Sequence, residues 1–254
     1  MTLFDFGISG KDILLVVLGT IASIFIAYIA RKIFEFYRIL IPFFKVWGFK
    51  NNETVYLING IIELNSTDLK DKFVLGPGDV NALVAVSRTL EKRYKSIKIK
   101  NLYSKQLSAL DMMNENIVSI GGLKRNTVTK RLMGLIDCKH SFDDEGNMIN
   151  NKTNKQYSPV KAESNDYYVE DYGFISKAKL SSEAEKWVFV IAGCHTEGVM
   201  GAARYISSLD YDGEKRLREL AKEFKNEPFQ IAVKVNIIKD EMGVIEIGKI
   251  ERVF

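Results

Sequence analysis

The segment WVFVIAG, from Trp187 to Gly193, is the clearest indication of the fold class of this chain. Six apolar residues in a row, ended by a glycine, are typical of a parallel strand that is covered on both faces. Gly198 to Ser208 then reads as a helix with small residues at Gly201, Ala202 and Ala203. The segment predicts one unit of strand, glycine turn and helix.

Two earlier segments repeat this unit. Asn116 to Gly122 is a buried strand that ends in a glycine pair, and Asn126 to Met133 supplies a short helix after it. Phe73 to Leu75 leads into a second glycine loop, and Val80 to Tyr94 has apolar residues at helical spacing. With a short strand at Ile97 to Ile99, these units predict an α/β domain with a Rossmann-like, mainly parallel sheet and crossover helices.

Other segments predict local structure of different kinds. Thr54 to Glu63 reads as a strand pair or edge hairpin that turns at Asn59-Gly60. Lys139 to Tyr172 is polar and predicts a loop or hairpin insertion, which is either a lid, a partner surface or an excursion without function. Ser182 and Glu185 could form a capping box for a helical turn.

The C-terminal part predicts a helix at Glu214 to Phe224 and then a β-hairpin. Its two strands, Gln230 to Lys239 and Val244 to Val253, alternate in hydrophobicity around a turn at Asp240 to Gly243.

Near the N-terminus, Ile13 to Ala30 is a run of eighteen uncharged, mostly apolar residues closed by Arg31 and Lys32. A helix of this length, rising ~1.5 Å per residue, just crosses a hydrocarbon core of ~30 Å. Met1 to Asp12 lacks the basic cluster of a signal peptide, so we interpret the run as a retained transmembrane helix. A buried core helix is disfavoured because the run has no polar stripe.

Charge predicts the orientation of this anchor. Only Lys11 lies on its N-terminal side, and the basic residues that follow it are Arg31, Lys32, Arg38, Lys45 and Lys50. Basic flanks stay in the cytoplasm, so we expect a single-pass inner-membrane protein with a cytoplasmic C-terminal domain. Two cysteines, Cys138 and Cys194, fit a reducing compartment. The net charge of +4 favours anionic lipid headgroups as partners over nucleic acid.

The domain organisation follows from these features. Residues 1–50 form the anchor and a juxtamembrane helix, which is predicted to end near Pro42. Residues 51–254 form the cytoplasmic α/β domain, which resembles nucleotide-binding domains in size and pattern.

Glycine loops at the predicted strand ends are the candidate ligand site, because glycine lets backbone N–H groups approach a phosphate at a helix N-terminus. The predicted ligand-binding residues are Gly76, Gly78, Asp79, Gly121, Gly122, Asn126, Thr127, Gly193, His195, Thr196 and Gly198. Gly78, Gly122 and Gly198 are expected to converge on one cavity. The alternative is that these glycines are needed only for the backbone conformation of the turns.

The chemistry of the site stays open at this point. Neither a phosphate-loop motif nor a complete Gly-x-Gly-x-x-Gly is present, which argues against an ATPase and an ordinary NAD dehydrogenase. Zinc ligation by Cys138, His140, Cys194 and His195 lacks the usual spacing, and no metal is expected. Glu197 is the first candidate for a catalytic acid or base, Asp79 the second. A simple helix-dipole role for Glu197 is the alternative.

The motifs IVSIGG followed by Asn126, and Ala192-Gly193 followed by Gly198 and GAA (201–203), resemble the Rossmann-type nucleotide-sensing domains of the TIR and SLOG-like group. The resemblance implies a membrane-fused sensor or effector of bacterial antiphage defence that responds to a nucleotide or consumes NAD.

Three functions stay open. They are a nucleotide sensor and effector, a membrane-held nucleotide or NAD glycosidase or transferase, and a non-catalytic scaffold. The small residues Gly19, Ser23 and Ala27 also predict self-association of the anchor into a homo-oligomer, with a simple tether as the alternative.

Overall fold

One unbroken helical segment leads from the apolar N-terminal stretch into the folded domain. The computed structural model describes residues 10–63, 73–106, 114–163, 167–237, 245–247 and 251–253. Helix α1 (Gly10–Glu35) continues through a π-helical turn (Phe36–Leu40) into α2 (Ile41–Trp47). This segment is long and apolar enough to span a membrane, and the rest of the protein buries none of its most apolar window.

The prediction that this helix ends near Pro42 is wrong. In the π turn directly before Pro42, the Ile41 N–H bonds to the carbonyl of Phe36, five residues earlier. Proline has no N–H, and its ring crowds the carbonyl of the preceding turn, so a wider turn lets the helix continue past it. The helix ends instead at Gly48, whose φ of 73° is the left-handed conformation typical of helix C-termini.

The end of this helical segment belongs to the core of the domain. Phe43 and Trp47 are fully buried, and Phe49 is buried just after the helix. The Trp47 ring lies 4.9 Å from that of Phe189, and the Phe43 ring lies 5.2 Å from that of Tyr94, measured between centroids. The folded domain therefore begins before the predicted boundary at residue 51.

A nine-stranded sheet forms the centre of the domain. The strands within the described residues are β1 (Thr54–Asn59), β2 (Ile62–Glu63), β3 (Phe73–Val74), β4 (Lys98–Tyr103), β5 (Asn116–Ile120), β6 (His140–Phe142), β7 (Met148–Asn150), β8 (Lys155–Tyr157), β9 (Val160–Lys161), β10 (Tyr168–Ala178), β11 (Val188–Gly193), β12 (Phe229–Ile237), β13 (Ile245–Ile247) and β14 (Glu251–Val253). The order in the central sheet is β13-β12-β10-β11-β5-β1-β4, with β14 paired to β12 and β9 to β10.

The part of the sheet made of β4, β1, β5 and β11 is parallel, as predicted for the central sheet. Strand β10 is antiparallel to both of its neighbours, β11 and β12, so the fold is mixed α/β. The chain enters the parallel strands in the order β1, β4, β5, β11, and its direction across the sheet therefore reverses between β1 and β5. Open α/β sheets bind ligands near such a reversal, beyond the carboxyl ends of the strands.

Helices and a small sheet cover the two faces of this central sheet. In the part of the chain that the structure describes, the remaining helices are α3 (Pro77–Arg93), α4 (Thr127–Leu135), α5 (Thr196–Tyr205) and α6 (Tyr211–Phe224). Apolar residues of α2, α3, α5 and α6 pack in one core cluster, and those of α4 pack with β7 and β8 in a second. The fold therefore has three layers, with helix N-termini of α3, α4 and α5 at the carboxyl edge of the parallel strands.

Two local predictions are wrong. Thr54 to Glu63 is not a hairpin, because β1 is a central strand with Val55, Leu57 and Ile58 fully buried, and β2 pairs with β3 outside the main sheet. The glycine loop before α3 therefore follows a small hairpin and not a strand of the central sheet. Ser182 lies in a turn, Glu185 follows it in irregular structure, and no helix forms there.

The polar region 139–172 contains more regular structure than expected. Strands β6, β7 and β8 form an antiparallel meander of their own. The region ends inside β10, an eleven-residue strand that the sequence did not reveal. At the C-terminus, β13 and β14 both pair antiparallel with β12, in agreement with hairpin pairing, and the predicted turn lies outside the described residues.

Candidate ligand site at the carboxyl edge

A cavity of about 480 Å³ lies at the carboxyl edge of the parallel strands. The segments that line it include the first turn of α3, the loop after β5 and the loop after β11. Of the predicted ligand-binding residues, Asp79, Gly122, Gly193, His195 and Thr196 line this cavity. The structure therefore brings the three predicted loops together at one edge of the sheet.

Asp79 places a largely buried carboxyl group in the wall of the cavity. Burial raises the pKa of Asp79 to about 6, although the nearby Arg125 guanidinium acts in the opposite direction. The carboxyl group also packs against the loop after β5, since a Cβ atom added to Gly121 would lie 3.2 Å from Oδ1. Gly121 has a φ of 112°, which side-chain-bearing residues rarely adopt.

Three basic residues that the sequence analysis did not select line the same cavity: Lys124, Arg125 and Lys130. They belong to the loop after β5 and to the first turns of α4. Their position directly after the glycine pair Gly121-Gly122 was the available signal. Together they form a basic wall beside the helix N-termini, where negative charge is favoured.

The turn between β6 and β7 forms a further part of the cavity wall, and it is acidic. Asp143, Asp144 and Glu145 line the cavity there, and the Lys124 ammonium donates a hydrogen bond of 3.0 Å to the backbone carbonyl of Asp144. The turn is organised by Asp143, whose carboxylate accepts hydrogen bonds from Asn147. The polar insertion thus contributes a wall of the cavity, and its role as a lid stays a prediction.

His195 lies at the N-terminus of α5 and faces the cavity. Its ring stacks on Tyr168 with 4.1 Å between centroids and 24° between planes. Burial lowers the pKa of His195 below its usual value, because it disfavours the imidazolium form. The neutral ring can therefore serve as a stacking surface or hydrogen-bonding group.

Two of the predicted glycines lie behind the wall and serve close packing. A Cβ atom at Gly78 would lie 2.3 Å from the Thr196 carbonyl oxygen, and one at Gly198 would lie 2.2 Å from the Tyr172 carbonyl oxygen. Gly76, the N-cap of α3, does not line the cavity either. The loops converge as expected, but Gly78 and Gly198 do so through backbone contacts and do not face the cavity.

Asn126 also has a structural role in place of the predicted ligand contact. It is fully buried, and its amide nitrogen donates to Ser119 Oγ and to the carbonyl oxygens of Ile58 and Ile120. Its Oδ1 accepts from the first N–H groups of α4. The side chain caps α4 and joins β1 to β5, while the neighbouring Thr127 is exposed and lies outside the cavity wall.

Glu197, the first candidate for catalysis, is half-buried in the first turn of α5 and does not line the cavity. Asp79 is the candidate that does. Burial raises the pKa values of Cys138 and Cys194 to about 11 and about 12, so neither is an activated nucleophile. Across the part of the chain that the structure describes, no three His, Cys, Asp or Glu residues are grouped as metal ligands.

Comparison with protein-family models, curated proteins and solved structures finds no significant match. The resemblance to TIR and SLOG-like domains therefore stays a prediction from the glycine motifs, and the arguments about function rest on the geometry of the site.

Proposed function

We propose that this is a single-pass membrane protein whose Rossmann-like domain binds a phosphorylated, nucleotide-type ligand and acts as a sensor or effector. The observation that carries the proposal is the cavity at the carboxyl edge, which joins a basic wall to the N-termini of α3 and α4. Its volume of about 480 Å³ lies in the range of roughly 300–1,000 Å³ typical of small-molecule sites.

The distribution of charged residues around the cavity favours a ligand with an anionic group at one end. Lys124, Arg125 and Lys130 would meet phosphate oxygens, and the helix dipoles favour the same charge. The acidic turn and the neutral His195 ring would face the less charged end of the ligand. A nucleotide has this distribution, since its sugar hydroxyls and base donate hydrogen bonds and its base can stack.

The anchor would receive the binding event directly, because α2 is packed into the domain core. The buried Lys177 ammonium donates to the backbone carbonyl of Lys45 at 3.3 Å and to Asn226 Oδ1 at 2.8 Å. The sheet, α2 and the end of α6 are thereby joined. We also propose that the protein acts in antiphage defence and that its active form is a homo-oligomer.

The direct test measures binding of a nucleotide panel to the full chain in nanodiscs by calorimetry. Lys124→Gln with Arg125→Gln should weaken binding at least tenfold. Lys95→Gln, an exposed change at the far end of α3, should leave it unchanged. Binding of no panel member, or equal binding by all variants, would contradict the proposal. Protease added outside sealed right-side-out cells should leave the domain intact if it faces the cytoplasm.

The second candidate is a membrane-held nucleotide or NAD glycosidase, and Asp79 favours it. A carboxyl group in a cavity wall with a pKa of about 6 can donate or accept a proton near neutral pH. Release of free base from a panel nucleotide, lost in Asp79→Asn, would support the enzyme. Binding without turnover would support the sensor.

A further inference from the structure

We propose that the turn Leu209 to Tyr211, between α5 and α6, lies in the headgroup layer of the same bilayer that holds α1. The folded domain would then touch the membrane at a second place besides its anchor. The inference rests on the proposed membrane insertion of α1, and the experiment below separates a failure of the one from a failure of the other.

The length of the helix sets the depth of Arg38 relative to the bilayer. A hydrocarbon core of ~30 Å takes about 20 residues of helix, which from Ile13 reaches Lys32. Arg38 is six residues further, or about 9 Å along the axis. Because the helix is unbroken from Gly10 to Trp47, Arg38 stays at the depth of the headgroup layer.

A contact between Arg38 and Tyr211 brings the turn to this depth. The Arg38 guanidinium lies 5.7 Å from the centroid of the Tyr211 ring and 5.1 Å from that of Phe34. Its Nη2 also donates to the Tyr211 hydroxyl at 3.5 Å. Tyr211 is therefore held against the helix just beyond its membrane-spanning part.

The turn and the neighbouring part of the helix expose apolar and aromatic side chains. Tyr211 is 63% exposed and Leu209 is 41% exposed, and Phe34, Phe36 and Tyr37 are exposed on the same stretch of the helix as Arg38. An apolar surface of this kind with aromatic residues is typical of the membrane interface. The adjacent Arg38 supplies a positive charge for lipid phosphates. Lipid is the favoured occupant because the surface continues directly from the membrane-spanning helix.

This contact would also fix the direction in which the ligand site faces. Helix α5 begins at the cavity with Thr196 and ends at Tyr205, about 15 Å away along its axis. The turn that follows it therefore lies at the opposite edge of the sheet from the cavity. With that edge on the membrane, the cavity opens toward the cytoplasm.

Tryptophan fluorescence in proteoliposomes tests the proposal. The two native tryptophans, Trp47 and Trp187, are buried, so a tryptophan placed on the surface reports its own surroundings. The test variants are Tyr211→Trp and Leu209→Trp in the full chain. The matched control is Tyr103→Trp, which is 42% exposed in the wild type and lies at the carboxyl end of β4, on the cavity side.

Lipids brominated near the headgroup should remove most of the added emission in both test variants and little in the control. Aqueous iodide should give the reverse. Equal quenching of all three variants by iodide, in protein that floats with the liposomes, would overturn the membrane contact and leave the anchor intact. Failure of the wild-type chain to float would overturn the anchor itself.

Discussion

The carboxylate of Asp171 accepts a hydrogen bond from the backbone N–H of Gly198, with 2.5 Å between Oδ2 and the nitrogen. Asp171 is fully buried in β10, and its carboxyl group also accepts from the backbone N–H groups of His195 and Tyr172. The N-terminus of α5 is thus capped from a neighbouring strand. This cap occupies the position at which the sequence placed a ligand phosphate.

Replacing Asp171 by alanine should destabilise the protein, because buried N–H groups would lose their acceptor. The expected loss is about 1–3 kcal/mol of unfolding free energy. Denaturant titration in detergent micelles measures it. Glu197→Gln is the control, since it removes a carboxylate at the same helix end that caps nothing. Equal stability of Asp171→Ala and the wild type would show that the cap contributes little.

The titration of Asp171 gives stability a definite pH dependence. Burial raises its pKa to about 7, far above the value of an unfolded aspartate. Between about pH 4 and pH 7 the folded state therefore binds more protons than the unfolded state, and this group's contribution to stability falls as the pH rises. The unfolding free energy of Asp171→Asn should fall less steeply over this range. Parallel profiles for the two proteins would contradict the assignment.

Replacement by alanine should have different effects at two glycines of the site, weakening ligand binding at Gly122 and lowering stability at Gly198. A Cβ atom at Gly122 would lie 3.5 Å from the Gly193 carbonyl oxygen, so Gly122→Ala should change the unfolding free energy by less than about 1 kcal/mol. Its methyl group would enter the cavity and weaken ligand binding. Gly198→Ala would place Cβ against the Tyr172 carbonyl and should lower the melting temperature clearly. Thermal unfolding with binding measurements distinguishes the two effects.

Trp47 should be essential for the stability of the α/β domain, although it lies in the helical segment that continues from the apolar helix α1. Its truncation to alanine should lower the unfolding free energy by about 3–5 kcal/mol, since the side chain is fully buried. The exposed Tyr37→Ala serves as the control. A soluble fragment that starts at Asn51 should likewise unfold at lower temperature than one that starts at Arg38, and equal melting temperatures would refute this.

Self-association of α1 can be tested on its small-residue face. The Ser23 hydroxyl donates a hydrogen bond to the carbonyl of Gly19 within the same helix, so this hydroxyl does not need a hydrogen-bond acceptor on a second helix. Close approach of small residues would then be the attraction between two helices. Gly19→Leu with Ser23→Leu should reduce crosslinked oligomers in membranes, whereas Ile24→Leu should not. Unchanged crosslinking in the double variant would make the helix a simple tether.

Local patterns in the sequence were sufficient for most regular elements. The apolar run before Gly193 is a buried parallel strand, and the repeating apolar residues after Asp79 form α3, because burial and periodicity act within one segment. Strand β10 escaped prediction because its buried polar groups, Asp171, Ser176 and Lys177, interrupt the apolar pattern. Asp171 accepts a hydrogen bond from Gly198 in α5, and Lys177 donates to Lys45 in α2 and to Asn226 after α6, which no local pattern can show.

Spacing along the chain was enough to predict the apolar helix, the α/β class and the glycine loops that meet at one edge, since hydrophobic spacing and backbone freedom are properties of neighbouring residues. That Asp79 and Lys124 face a cavity, while Asn126 and Gly198 support the walls behind it, became visible only in the folded protein. That division depends on which groups lie across from one another after folding. Distances between elements far apart in the chain set it, and so they set which side chains are free to meet a ligand.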